Sequence, residues 1–550
     1  MALSLTKMIR FDLSGLLVPA GVGPLLQNHP IVRGVGGELH IQEHNEIHYD
    51  TPALQLYRHH GAITLNRRGE QWIQWCIMEE GAEQEKKELE TAVADQELDL
   101  RAIRKVVSAS ILNNNDIRTL APVFTLHCRE QRWPLHFPAG TSMLLREERG
   151  YLKFGATRHP FHELVLEFQS GDPARWFQTG LELAYTLFLQ EKSGVPDKGG
   201  PGLVSLTPAA RGFAWLDPSL LMPTIPLSQD SKFVGSSEEG MAEAMAPILE
   251  PEMTARQAFV ALCGNLLQQM QTLHSTVLYG GKQARLEGIR LLHQYMARLH
   301  ALFVLYHALL PKEIAPELDK EFGWLLKELA LVQECQSLLK ETLEPLTEQF
   351  STHPGLEELL LKTKNGLILA VKRLEKALTS FRYVRLVLGL ENWLTGNHWE
   401  FLSDSVQREG LEVPVVRLAA DWLQQCHGQL RKQGRHWSGM SLTARCALHN
   451  DVDQLVHATD LFADLFANKR SKQAGARSSF QECLGRVHNN IHMLLHLHTS
   501  SRFLTRGVNS KEGSGEPHPI QAWQEARIQR HLLEGNREWE QFASKLSYWY

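Results

Sequence analysis

A change of hydrophobic period part-way along the chain limits the fold more than any other feature. From Ile47 to Met78, and again in short runs up to Phe168, the pattern alternates and turns in the manner of strands. Beyond Thr254 apolar residues recur at spacings of three and four. Period two sends neighbouring side chains to opposite faces of a sheet, whereas the longer period gives a helix one apolar stripe. The chain is therefore expected to be an α+β multidomain protein, with a largely antiparallel β part followed by an all-α part.

Within the first part, Ala62–Asn66 and Trp72–Ile77 read as strand, turn, strand around Gly69. Further strands are expected at Phe124–Arg129, Met143–Arg146, Tyr151–Phe154 and His162–Phe168. Asp172 and Pro173 then open a helix over 175–190, as N-cap and first-turn residue. Such a set predicts an antiparallel barrel or sandwich. Residues 217–252, with Pro218, Pro223, Pro226, Gly235, Ser236, Ser237 and Gly240, read as a linker holding a short acidic helix near 238–245.

The clearest helix spans 283–310, where Ile289, Leu292, Met296, Leu299, Phe303, Tyr306 and Leu310 form one seam. Others are expected at 255–279, 318–348, 355–378, 380–395, 415–433, 441–468, 478–504 and 519–545, making two packed helical bundles. The expected domains are thus 1–216, the linker 217–252, a helical domain 253–505, and a tail 506–550 ending in a helix.

Composition narrows the functional classes. A chain of 550 residues exceeds one core. With 57 Lys and Arg against 62 Asp and Glu, no global field draws nucleic acid or a membrane surface, so any anion site must be local. Seven scattered cysteines without a CxxC pair imply free thiols in a reducing compartment. No apolar run reaches membrane-spanning length, and Asp12 interrupts the short apolar block near the start, so a cytoplasmic protein is expected rather than a secreted one.

Four ordered blocks then point to a family: Tyr49-Asp50-Thr51-Pro52, Arg67-Arg68-Gly69, Glu163 through Asp172, and Ser205 through Phe213. Together they resemble the CYTH domain, whose members include inorganic triphosphatases, thiamine triphosphatases and some adenylyl cyclases. The resemblance implies a barrel of the triphosphate-tunnel type, with carboxylates holding Mg2+ or Mn2+ and Lys or Arg gripping inorganic tripolyphosphate or polyphosphate. That chemistry has a physical basis: the metal polarises phosphoryl oxygens, and cations offset the charge of the triphosphate.

By that resemblance Glu163, Glu167 and Glu148 take the catalytic places, Glu88, Glu163 and Glu167 the metal places, and Arg10, Lys86, Arg129 and Arg211 the phosphate places. Much of the rest is replaced. Thr6 and Met8 stand where metal-binding glutamates are expected, Thr64 and Asn66 where a basic pair is expected, and Ile77 and Pro208 where lysines are expected. Methionine does not bind a hard cation, and Ile or Pro cannot grip phosphate.

In the second part, the helix after Tyr279-Gly280-Gly281, the segment Lys372–Trp393 and Phe480–Asn490 resemble the CHAD domain, a histidine-bearing helical module linked to polyphosphate. The resemblance assigns polyphosphate contacts to Arg290, His293, Arg298 and His449, where the family presents more cations. Two histidine stripes lie nearby: His293, His300 and His307 every seven residues, and His488, His492 and His496 every four. Spacing of four permits paired metal ligands on one helix, while the plainer reading makes them polar fillers beside a core. The expected protein is a divergent relative of inorganic triphosphatases that binds phosphate or polyphosphate, with hydrolysis reduced or lost. A working metal-dependent triphosphatase and a scaffold holding a protein partner through the helical domain are the alternatives.

Overall fold

The computed structural model describes residues 8–14, 22–80, 85–191, 202–217, 220, 249–312, 315–350, 354–396, 404–466, 471–508 and 519–549. Thr6 and most of the expected linker, including its acidic helix, lie outside the described residues. Two compact units emerge. One comprises residues 1–244, 271–288 and 376–396, and the other 245–270, 289–375 and 397–550.

The first unit is built on nine strands: β1 (Met8–Asp12), β2 (His40–Asp50), β3 (Gly61–Arg68), β4 (Gln71–Glu80), β5 (Glu85–Val93), β6 (Ala121–His136), β7 (Ser142–Phe154), β8 (Thr157–Ser170) and β9 (Gly202–Leu203). They form one antiparallel sheet in the order β5-β4-β3-β2-β6-β7-β8-β1-β9. The expected closed barrel is not formed by the described ladders. Edge strand β5 bonds to β4, and the other edge, β9, is only two residues long, so the sheet remains open.

The two strands expected at Met143–Arg146 and Tyr151–Phe154 are one strand, β7. The charged run between them continues the ladder because Gly150 sits opposite Cys128, where a side chain would collide with the His127 backbone oxygen. One face of the sheet is apolar. Ile9, Phe11, Leu145, Leu164 and Leu166 bury against Trp176, Phe177, Leu183 and Leu187 of the helix Pro173–Glu191, with Val384 and Leu388 completing the core. As expected, Asp172 accepts the Ala174 amide at 2.9 Å.

The Tyr49-Asp50-Thr51-Pro52 block has a structural reason. Asp50 is buried at the end of β2, and its carboxylate accepts the amides of Thr51 at 2.7 Å and of Leu56 and Tyr57 at 3.0 Å each. Those amides belong to the turn and short helix Gln55–Arg58, whose first donors lack intrahelical partners. Asp50→Ala should therefore cost the sheet unit about 3 kcal/mol in chemical denaturation, since buried amides are left unpaired. A loss below about 1 kcal/mol would show that water replaces the carboxylate.

The second unit is helical. The seam expected at 283–310 lies on the helix Lys282–Tyr306, and its members from Ile289 to Tyr306 are buried. The helix expected at 441–468 is instead two, Leu442–Ala447 and His449–Leu461, with a break at Leu448. The one expected at 318–348 runs Ala315–Ser337 and then widens into a π-helical turn at Leu338–Leu343. No described helix is long and apolar enough to cross a membrane.

Candidate functional site

The polar face of the sheet follows from register. Arg10 stands opposite Val165 on β8, and Met8 opposite Glu167. On β7, Arg146 stands opposite Val165 and Glu148 opposite Glu163. Then β6 sets Arg132 against Arg146 and Glu130 against Glu148. Side chains in register on paired strands share a face, so four arginine and glutamate pairs meet over four strands and one helix.

The fourth arginine comes from the helix Pro208–Leu216, started by Thr207 as N-cap with Pro208 in the first turn. Arg211 projects from it onto Glu163. Its guanidinium also lies 5.4 Å from the centre of the Tyr279 ring, and the Tyr279 hydroxyl donates to Asp12 at 3.3 Å.

Arg10 is the centre of this arrangement. One of its nitrogens, Nη1, donates to Glu148 at 2.9 Å and to Glu163 at 2.8 Å. Arg146 reaches Glu148, Glu130 and Glu167 at 3.3 Å each, and Arg132 reaches Glu130 at 2.7 Å. Glu163 therefore spends one oxygen on Arg10 and the other on Arg211; Glu148 divides its oxygens between Arg10 and Arg146.

Burial sets the electrostatics. Glu163 is completely buried, and that desolvation pushes its pKa up even against Arg211 and Arg10. For Glu130, Arg132 and Arg146 more than offset burial and hold the carboxyl below its usual range. Burial also disfavours the Arg10 cation, but Glu148 and Glu163 outweigh it and raise its pKa. Glu163 and Arg10 are both taken as ionised at neutral pH, because each charge has an opposite charge in hydrogen-bond contact.

The expected site residues divide accordingly. Arg10, Glu148, Glu163, Glu167 and Arg211 come together. Met8 lies beside them, its sulfur 3.7 Å from Arg146. Arg129 does not join them: it alternates to the opposite face of β6, is exposed, and approaches Glu43 at 3.9 Å. Glu88 lies exposed on edge strand β5 opposite Ile77. Lys86, also on β5, pairs through its backbone with Glu79 of β4, and its side chain lies outside the described residues. Thr64 and Asn66 face His48 and Glu46 on β2. Three members of the network, Glu130, Arg132 and Arg146, were not among the sequence candidates, although their even spacing along β6 and β7 places each pair on one face.

In the helical unit the expected cations are also matched by acids. Arg298 donates to Asp460 at 2.9 Å, and His449 lies 3.1 Å from Asp453. Burial lowers the pKa of His293, and Arg290 accepts a bond from Gln333 through its backbone oxygen at 3.4 Å. His300 meets Asp319 at 2.8 Å, and His496 meets Thr342 at 2.9 Å. Positions where the resemblance leads one to expect basic groups hold Val452 and Thr459 in the core.

Residues 261–498, within the helical half, match the family model described as the CHAD domain. The match leaves the sheet outside it. No curated protein matches the chain. Among solved structures, the CHAD domain from the plant Ricinus communis is 21% identical, covering 55% of this chain and 90% of that one with a TM-score of 0.40. A putative adenylyl cyclase from Hippeastrum, described as having a dominant triphosphatase activity, is 15% identical over 38% of this chain and 95% of that one, TM-score 0.22. A putative adenylate cyclase from Bacillus halodurans is 14% identical over 35% and 93%, TM-score 0.20.

Proposed function

We propose that this chain is a CYTH–CHAD-type relative of inorganic triphosphatases that binds inorganic phosphate or polyphosphate and hydrolyses it poorly or not at all. One observation carries the reading: the Arg10 guanidinium lies between Glu148 and Glu163, in hydrogen-bond contact with both. A divalent metal serving this face would need those same oxygens. Its donor set is further reduced by Met8, whose thioether does not suit Mg2+ or Mn2+. The residues present do not fit a hydrolytic metal, and no catalytic step is derived through one.

Binding without turnover follows from the same charges. Arg10, Arg132, Arg146 and Arg211 converge on one face, held by Glu130, Glu148, Glu163 and Glu167. A phosphate oxygen can replace a carboxylate oxygen on a guanidinium with similar geometry. Burial raises the pKa of Glu163, so acid weakens its hold on the two guanidiniums. Its protonation frees Arg211 and removes one of the two carboxylates that hold Arg10, so anion affinity should rise as the pH falls below neutral.

Two measurements on the full chain test this. Phosphate release from tripolyphosphate with Mg2+ or Mn2+ should stay at background and be insensitive to Glu163→Ala/Glu167→Ala. Calorimetric titration with tripolyphosphate at low salt should show binding that tightens toward mildly acidic pH. Robust turnover abolished by the double change would establish a working triphosphatase instead. Absence of binding at low salt in mild acid would favour a scaffold whose partner is a protein.

A further inference from the structure

We propose that the helical unit holds one first-row transition-metal ion of the Zn2+ class on His449, Asp453 and His488. One ligand atom from each of the three lies within 4.8 Å of the others. His449 and Asp453 are four residues apart on the helix His449–Leu461, so they share its face. His488 comes from the long helix Ser471–Val508. The Asp453 carboxylate meets both imidazoles, at 3.1 Å from His449 Nδ1 and 2.7 Å from His488 Nε2.

Metal bonds of about 2.0–2.1 Å in a tetrahedron put neighbouring donors roughly 3.3 Å apart. The two Asp453 contacts thus need to lengthen by only a few tenths of an ångström, while the two imidazole donors, within 4.8 Å of each other, turn toward one ion. Binding displaces the protons now held between Asp453 and the imidazoles, and the Asp453 carboxylate offsets one of the two charges of the ion. His449 Nε2, buried and with no hydrogen-bond partner among the described residues, is the alternative donor of the same ring.

A fourth ligand is close at hand. His492 follows His488 by one turn, and its ring centre lies 6.0 Å from that of His449 and 6.4 Å from that of His488. Two imidazoles and a carboxylate make a borderline donor set, which suits Zn2+, Co2+ or Ni2+ and disfavours Mg2+ and Ca2+. The Arg298 guanidinium is turned to Asp460 at 2.9 Å, which limits its repulsion of an incoming metal. The ion would join two helices of this unit, giving the alternating His488 stripe a purpose that core filling does not supply.

The site shares His449 with the polyphosphate contacts that the resemblance implies, so its test contains no phosphate. Full-length protein, stripped with chelator, is titrated with Co2+ and with Zn2+. One Co2+ per chain should bind with a visible absorption band of four-coordinate geometry, and Zn2+ should displace it and raise the unfolding temperature. Asp453→Asn and His488→Gln should each weaken binding by about a hundredfold, the upper end of what loss of a group that merely orients a ligand costs. His300→Gln, paired elsewhere with Asp319, should bind as wild type. Circular dichroism verifies that each variant is folded, and His449→Gln serves where one is not. Failure of the wild type to bind Co2+ or Zn2+ stoichiometrically, or equal affinity in the folded variants, overturns the proposal.

Discussion

Arg10→Met is expected to destabilise the sheet unit by about 3–5 kcal/mol, the largest effect of any single change on the polar face. Methionine keeps the apolar stem of the side chain; what goes is the cation between two carboxylates. Glu148 and Glu163 are both buried, and Arg10 contacts them at 2.9 and 2.8 Å. Without it, two negative charges face each other across neighbouring strands, and one must take up a proton or draw in water. Urea denaturation followed through the transition of the sheet unit measures the loss.

Two companion results separate this explanation from a general packing defect. Adding Glu148→Gln and Glu163→Gln to Arg10→Met should restore much of the lost stability, because removing both sides of a buried pair is far less costly than removing one. Mn2+ should stabilise Arg10→Met but not wild type, since only the variant leaves carboxylate oxygens for a metal. A loss under about 1 kcal/mol for Arg10→Met would mean that the carboxylates do not depend on this guanidinium.

Acid is expected to weaken the helical unit through His427. Its ring is almost wholly buried, edge-on to Phe480, Phe542 and Trp549 at 5.3, 5.6 and 5.6 Å between centres. Burial, with a contribution from Arg431, lowers its pKa to about 4. The folded chain therefore keeps this imidazole neutral, while the unfolded chain protonates it near pH 6.5. The stability it permits is intact above about pH 6.5 and falls as the pH drops toward 4, by roughly 3 kcal/mol at about 1.4 kcal/mol per pH unit. His427→Leu should flatten that part of the profile in denaturant midpoints measured from pH 7 to 4. An unchanged slope would transfer the effect to other buried histidines, such as His457 and His496, whose pKa values are also lowered to about 4.

The legible and illegible parts of this protein divide by the range of the interactions involved. The helix at Pro173–Glu191 and its Asp172 cap could be read because cap and first turn are local. The apolar seam of Lys282–Tyr306 could be read because its period is a property of one helix. The merger of two expected strands into β7 could not, because it rests on Gly150 lying against His127 of another strand. Nor could the misplacement of Arg129: its charge is right, but its odd position on β6 sends it away from Glu148 and Glu163.

By itself, then, the sequence determined the two-part architecture, the face on which Glu163 and Glu167 lie, and the uncharged character of Met8, Ile77 and Pro208. Local periodicity and residue chemistry suffice for each. Only the tertiary structure decided what the surviving charges do. Charges on separate strands and helices interact over a few ångströms, and those distances depend on register and packing. So Arg10, which the sequence alone marks as a free phosphate ligand, stands in the fold as the cation already bound by Glu148 and Glu163.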